Sequence, residues 1–170
     1  MPTPRELALS AIEGAIARDP DRVVEHGHPD RYADDIVALG EFRGRAAVRD
    51  FFVELFTAMP DYRMEVEQVI ADSSTVAVRW HAAGTFDGGP FQGFQPSGRR
   101  VEIRGIDVIE VEDQHIVRNT IYYDGAAFAR QIGLLPREGS LADRAALRLF
   151  NLRARLARLV RRRPAVQAVS

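Results

Sequence analysis

The chain has 170 residues, of which 46% are hydrophobic and 28% charged, and its formal net charge is −1. That is the make-up of one globular domain able to bury a core without a covalent staple. There is no cysteine, which excludes disulfide frameworks, thiolate metal sites and thiol catalysis, and no apolar run reaches the roughly 18 residues of a membrane span.

The charge is unevenly placed. Residues 137–163 hold nine Arg against only Glu138 and Asp143, a net of +7, so the remainder of this −1 chain carries −8. All 23 basic residues are Arg, a bias expected of a GC-rich bacterial genome. The start, Met1-Pro2-Thr3-Pro4-Arg5-Glu6, lacks the apolar core of a signal peptide, so a cytoplasmic protein is expected.

Thr3-Pro4-Arg5-Glu6 has the residues of a capped helix start, and Leu7, Ala8, Ala11, Ile12, Ala15 and Ile16 recur at helical spacing, predicting a helix over about 4–18. Asp19-Pro20-Asp21 starts a short helix ending near Gly27, and Tyr32 to Leu39 runs into a short strand. Arg45 to Ala58 carries a stripe of Val48, Phe51, Phe52, Leu55 and Phe56, an amphipathic helix stopped by Pro60. The period then changes to two. Strands are expected over about 62–71, Thr75–Phe86, Arg99–Glu112 and His115–Tyr123. Short turns join most of them, and the long loop Asp87–Gly98 joins the second to the third, so an antiparallel sheet is expected. A helical turn over Ala126–Ile132 closes at Gly133. From Ser140 a last helix shows one face of Leu141, Ala145, Leu149, Leu152, Leu156 and Leu159, another of Arg144, Arg148, Arg155, Arg158 and Arg162, and a stop at Pro164. Helices followed by strands give the α+β class: a cone-shaped curved sheet with the N-terminal helices across it, over residues 1–136, and an Arg-rich amphipathic extension over 137–170. Such a cone encloses a cavity suited to a small apolar ligand.

The phosphate-binding glycine loops, the Gly-x-Ser-x-Gly elbow and the His-Glu-x-x-His helix are all missing. His26-Gly27-His28 with Asp30 reads as a helix end rather than a metal site. The chemistry-bearing residues lie in the strands. Arg79 and His81 share one strand face, opposite Val76, Val78, Trp80 and Ala82. Asp107 stands among Ile103, Gly105, Ile109 and Val111, where a carboxyl pKa rises. Asp124 ends the last strand and doubles as a candidate helix cap. Arg79, His81, Asp107 and Asp124 are expected to converge on one cavity. Its lining is expected to include Phe86, Phe91 and Phe94 from the long loop, with Phe52 and Phe56 from the helix and Asn119, Tyr122 and Tyr123 from the last strand.

Several segments together resemble the SnoaL-like polyketide cyclases and ester cyclases of the nuclear transport factor 2-like superfamily. They are Tyr32-Ala33-Asp34-Asp35, Glu41-Phe42-Arg43-Gly44-Arg45-Ala46-Ala47-Val48, Val76-Ala77-Val78-Arg79-Trp80, Pro96-Ser97-Gly98-Arg99, Gly105-Ile106-Asp107, Tyr123-Asp124 and Arg130-Gln131-Ile132-Gly133-Leu134-Leu135-Pro136. The resemblance spans about residues 4–136. It implies a cofactor-independent and metal-free fold, commonly a homodimer or larger homo-oligomer. It also implies that Asp124 is the acid/base of an intramolecular aldol closure. Arg79 and Asp124 also resemble part of the limonene epoxide hydrolase set, with His81 in place of its second Asp. Asp107 resembles the oxyanion donor of ketosteroid isomerase, but Gly40 stands near that enzyme's base and the first helix lacks its Tyr. Asn119-Thr120 stands where many cyclases carry His or Trp.

Three readings follow. The first is an acid/base enzyme on a hydrophobic carbonyl compound, with Asp124 moving the proton, Arg79 and His81 assisting, and Asp107 donating to the enolate oxygen. Epoxide opening is its enzymatic alternative. The second is a non-catalytic module for a hydrophobic ligand. The third concerns the last helix, whose Leu face is expected to dock on the body or a partner subunit while its Arg face stays wet, with weak contact to an anionic membrane surface as the alternative and no nucleic acid expected.

Overall fold

A computed structural model describes residues 1–161. Four N-terminal elements build one side of the cone: α1 (Pro4–Ala17), α2 (Pro20–Val24), β1 (Ala33–Ile36) and β2 (Gly40–Arg43). Then come α3 (Gly44–Ala58), β3 (Arg63–Ala71), β4 (Thr75–Phe86), β5 (Arg99–Glu112), β6 (His115–Tyr123), α4 (Gly125–Ile132) and α5 (Leu141–Arg161). The α1 start is a full capping box: the Thr3 hydroxyl accepts from the Glu6 amide, and the Glu6 side chain accepts from the Thr3 amide. Asp19 and Asp124 cap α2 and α4 in the same way, with side-chain oxygens that satisfy first-turn amides.

The six strands form one sheet in the order β2-β1-β6-β5-β4-β3. The expected α+β architecture is present, with two differences in the sheet. β1 pairs parallel with β6, so the sheet is mixed, and β2 is an added edge strand antiparallel to β1. Four residues, Gly-Glu-Phe-Arg, are too few for period-two alternation to separate β2 from a turn. The long antiparallel ladders β3–β4, β4–β5 and β5–β6 carry the curvature, and a bulge between Val66 and Gln68 breaks the first of them. α1 and α3 lay Leu7, Ala11, Ile12, Val48, Phe51, Phe52 and Phe56 against the concave face.

The pleat decides what that face carries. On β4 the buried residues are Val76, Val78, Trp80, Ala82, Gly84 and Phe86. On β5 they include Val101, Asp107, Ile109 and Val111, and on β6 Ile116, Asn119 and Ile121. Gly105 lies opposite Trp80 in the ladder, and a β-carbon there would overlap the indole and stand 2.7 Å from the Tyr122 carbonyl. Glycine thus lets the indole lie flat on β5, next to Asp107.

α5 departs from this body. It makes no extended contact with any other element, and Leu141, Leu149, Leu152 and Leu156 are all more than half exposed. The Leu face therefore does not dock on the body, the first of the two partners expected for it. The side chain of Leu159, Arg162 and the stop at Pro164 lie outside the described residues.

Gly105→Ala is expected to destabilise the fold by about 1–3 kcal/mol through overpacking. Because Trp80 is the only Trp, its fluorescence reports the displaced indole directly. A denaturation midpoint and emission spectrum equal to those of the parent would show that the indole does not need this space.

Candidate active site

The concave face encloses a cavity of about 100 Å³. Its walls are almost wholly apolar: Ile12 and Ala15 from α1, Phe51 and Phe52 from α3, and Trp80, Val101, Ile109 and Ile121 from the sheet. Besides the hydroxyls of Tyr32, Tyr62 and Tyr123, three polar side chains break this lining on neighbouring strands: Asp34 of β1, Asn119 of β6 and Asp107 of β5. β1 pairs Asp34 with Asn119, and β6 leads on to β5, so all three stand side by side across the sheet.

Asp107 is 5% exposed and held by two donors: the Trp80 indole N–H gives to its Oδ1 at 2.7 Å and the Asn119 amide to its Oδ2 at 3.1 Å. Burial raises its pKa to about 6, and the two hydrogen bonds limit the rise. Asp34 is 1% exposed, and neither of its oxygens has a well-formed hydrogen bond. Burial drives its pKa to about 8, the nearby Tyr32 hydroxyl opposes the rise, and the Asp107 charge adds to it. Two carboxyls in one apolar cavity are thus held apart: near pH 7 Asp107 is largely ionised and Asp34 largely protonated. Burial also raises Tyr32, and it pushes Tyr123 up to about 12, so these phenols stay neutral donors on the cavity wall.

The long loop forms the lid of the cavity. Phe91 and Phe94 exchange backbone hydrogen bonds at 3.0 and 2.9 Å around a Gln92-Gly93 turn in which both residues have positive φ. Glu54 accepts from the Gln92 amide at 2.7 Å and ties this turn to α3. Phe91 is 3% exposed and packs between Phe51 and Phe128, with ring centroids 5.6 and 6.4 Å away.

Of the four residues expected to converge, only Asp107 lines this cavity. Arg79 and His81 lie on the outer sheet face, where Arg79 pairs with Glu67 at 2.9 Å and His81 with Glu102 at 2.8 Å. The reason is pleat parity, without any bulge in β4: the face with Val76, Val78, Trp80 and Ala82 is the concave one. Asp124 is exposed and caps α4, accepting from the Ala127 amide at 2.9 Å. Of the expected lining, Phe52, Phe91, Asn119 and Tyr123 face the cavity. Phe56 and Phe86 are buried in the core beside it, Phe94 packs against the core, and Tyr122 points outward, 49% exposed. Asp34 was not singled out by the sequence reading. Its signal was the Asp34-Asp35 pair followed by Ile36: in a strand one of two adjacent carboxyls must point inward, and Asp35 instead approaches Arg118 outside.

Comparison with known proteins adds the lineage. The family model described as SnoaL-like polyketide cyclase matches residues 6–132. The chain belongs to this family. No curated protein matches it closely. Among solved structures, a protein from Jannaschia sp. CCS1 provisionally described as a SnoaL-like polyketide cyclase superposes with a TM-score of 0.69 at 22% identity, covering 78% of this chain and 93% of its own. A SnoaL-like polyketide cyclase from Agrobacterium tumefaciens gives 0.61 at 25% identity, covering 78% and 100%. A Streptomyces galilaeus protein provisionally described as a hydroxylase gives 0.66 at 23%, covering 78% and 97%. These neighbours share the fold under different activity descriptions, so the chemistry of the cavity has to be argued from its own residues.

The raised carboxyl pKa values have a stability consequence with a definite sign. Below about pH 4 Asp34 and Asp107 are neutral in both folded and unfolded chains. As pH rises from about 4 to about 8 the unfolded chain ionises Asp34 while the folded chain holds its proton, so stability falls across this window and levels off above it. Each unit of displacement is worth roughly 1.4 kcal/mol, so several kcal/mol are at stake. Asp61 and Asp72, held low by amide hydrogen bonds from Thr85 and Ser74, act in the opposite sense but below about pH 4. Asp34→Asn is expected to flatten the fall in melting temperature between about pH 5 and 8. An unchanged slope would show that Asp34 is not the titrating group.

Proposed function

We propose that this SnoaL-like protein is a cofactor-independent acid/base enzyme that closes a ring in a hydrophobic carbonyl compound by aldol addition. One observation carries the proposal: two carboxyls line the same apolar cavity, Asp107 held by two donors and Asp34 by no well-formed hydrogen bond, an asymmetry that favours the charge on Asp107 and the proton on Asp34, as proton transfer at neutral pH requires. The Asp107 carboxylate takes a proton from the carbon next to a carbonyl. The Asp34 carboxylic acid hydrogen-bonds the oxygen on which charge develops. The enolate carbon then bonds to a second carbonyl carbon of the same molecule, and the resulting alkoxide takes the proton back from Asp107. Trp80 and Asn119 hold Asp107 in place for both transfers, and the dry walls strengthen every charge interaction.

The epoxide-opening alternative required His81 as a proton donor to the ligand, and His81 stands outside the cavity. Cavity size constrains the enzymatic and the ligand-binding readings alike. About 100 Å³ is smaller than the ~150 Å³ that accommodates benzene. A larger substrate therefore enters by displacing Phe91, the loop residue that closes the space between Phe51 and Phe128.

Acetophenone serves as a probe, since exchange of its methyl protons in D2O reads proton abstraction at carbon by NMR. The expected profile is a bell with limbs near pH 6 and pH 8, belonging to the coupled pair. Asp107→Asn should lower exchange by about a hundredfold or more, and Asp124→Asn should leave it near the parent value. Catalysed exchange that Asp107→Asn leaves intact removes Asp107 as the base. Saturable binding of the probe without catalysed exchange supports the ligand-binding reading instead.

A further inference from the structure

We infer that α5, with the arginine cleft at its base, is a docking surface for an anionic lipid membrane. The surface has two parts. The first is the free Leu face of α5. Leu149, Leu152 and Leu156, continued by Ala142 and Ala145, follow one another at spacings of three and four and form one stripe, with Leu141 beside it; Leu147 and Phe150 lie outside that stripe. Arg148 and Arg155 run along one flank and Arg153 along the other, Arg144 and Arg158 lie farther round the helix behind Arg148 and Arg155, and Asp143 is the only acidic residue of the helix. The second part is a cleft where the chain leaves the body. Arg99, Arg100, Arg130 and Arg137 line it with Gln131 and one acid, Glu138. None of these four arginines forms an ion pair among the described residues, and the Nε of Arg130 is buried without a partner.

Three occupants could cover the Leu face, and charge separates them. The body does not cover it. A second copy of α5 fits the three–four spacing, but Arg148, Arg153 and Arg155 hold the positions flanking that seam. In a pair of identical helices those positions face each other, so Arg would meet Arg with no acid between them. An anionic bilayer satisfies both features at once. The leucines enter the interface, and the arginines extend their stems along the apolar surface to reach phosphate oxygens. Stable attachment needs an apolar anchor together with a basic patch, and the arginine cleft supplies more of the second. The remainder of the chain carries −8, so an anionic surface repels the body and contact is confined to this basic end.

The test is co-sedimentation of the full chain with vesicles of equal parts phosphatidylglycerol and phosphatidylcholine, against vesicles of phosphatidylcholine alone, at about 0.1 M salt. Binding to the anionic vesicles only is expected. The triple variant Arg148→Gln, Arg155→Gln, Arg158→Gln should weaken it by roughly a hundredfold, given what each arginine contributes near an anionic surface. The variant Leu149→Ser, Leu152→Ser, Leu156→Ser should weaken it at least tenfold. Thermal melts of both variants should match the parent, since α5 makes no extended contact with the body. The inference is overturned if the chain stays in the supernatant, if neutral vesicles bind it equally well, or if the arginine variant binds as the parent does. A dimer by light scattering that the serine variant splits, without vesicle binding, would assign the Leu face to a second copy. Binding to polyglutamate but not to vesicles would assign it to an acidic protein.

Discussion

The hydrogen bond from the Trp80 indole to Asp107 joins the two parts of this structure, its packing and its polar site. An indole lying on Gly105 brings its one donor to a carboxylate buried among aliphatic side chains, and Asn119 brings the second donor from β6. Without them Asp107 would be as unsupported as Asp34, and burial would drive both toward the neutral form. Burial raises both groups, the two hydrogen bonds limit the rise at Asp107, and the Asp107 charge adds to the rise at Asp34. Both donors also line the cavity, and both are needed for one carboxyl to stay ionised beside the other.

That arrangement is costly to the fold. An unpaired carboxyl at the centre of a core is tolerated only by keeping its proton, and the long ladders around it must supply the stability it withdraws. β4, β5 and β6 do so by burying Val76, Val78, Ile109 and Ile116 almost completely on the same face. The cone is thus apolar where it needs cohesion and polar at three adjacent positions. Because solved structures of this fold carry different activity descriptions, those three positions are where this chain's own chemistry can be read.

The charge map follows the same division of labour. The Arg79–Glu67 ion pair and the His81–Glu102 hydrogen bond sit on the convex face, where water screens them and they decorate the sheet. The acidic body and the arginine-rich last helix give the molecule two ends of opposite sign. Only the basic end also exposes a leucine stripe, so apolar and electrostatic attraction point at the same surface.

The sequence by itself determined the elements and the family. Capping residues, the stripe on α3 and period-two alternation in β3 to β6 are local properties, and local spacing is enough to read them. It also singled out Asp107, because every same-face neighbour on β5 was apolar or Gly. It did not determine which face of β4 was concave. Both faces carry apolar residues, so Arg79 and His81 could be placed inside until the ladders with β3 and β5 fixed the parity. Asp34 was hidden in a four-residue strand whose parallel partner, β6, lies more than eighty residues away in the chain, and only that pairing sets it beside Asn119. The helix α5 was legible as amphipathic, yet nothing local says whether an apolar stripe finds a partner in its own chain. Tertiary structure decided these points because facing and docking depend on residues distant in sequence, and the spacing of near neighbours carries no record of them.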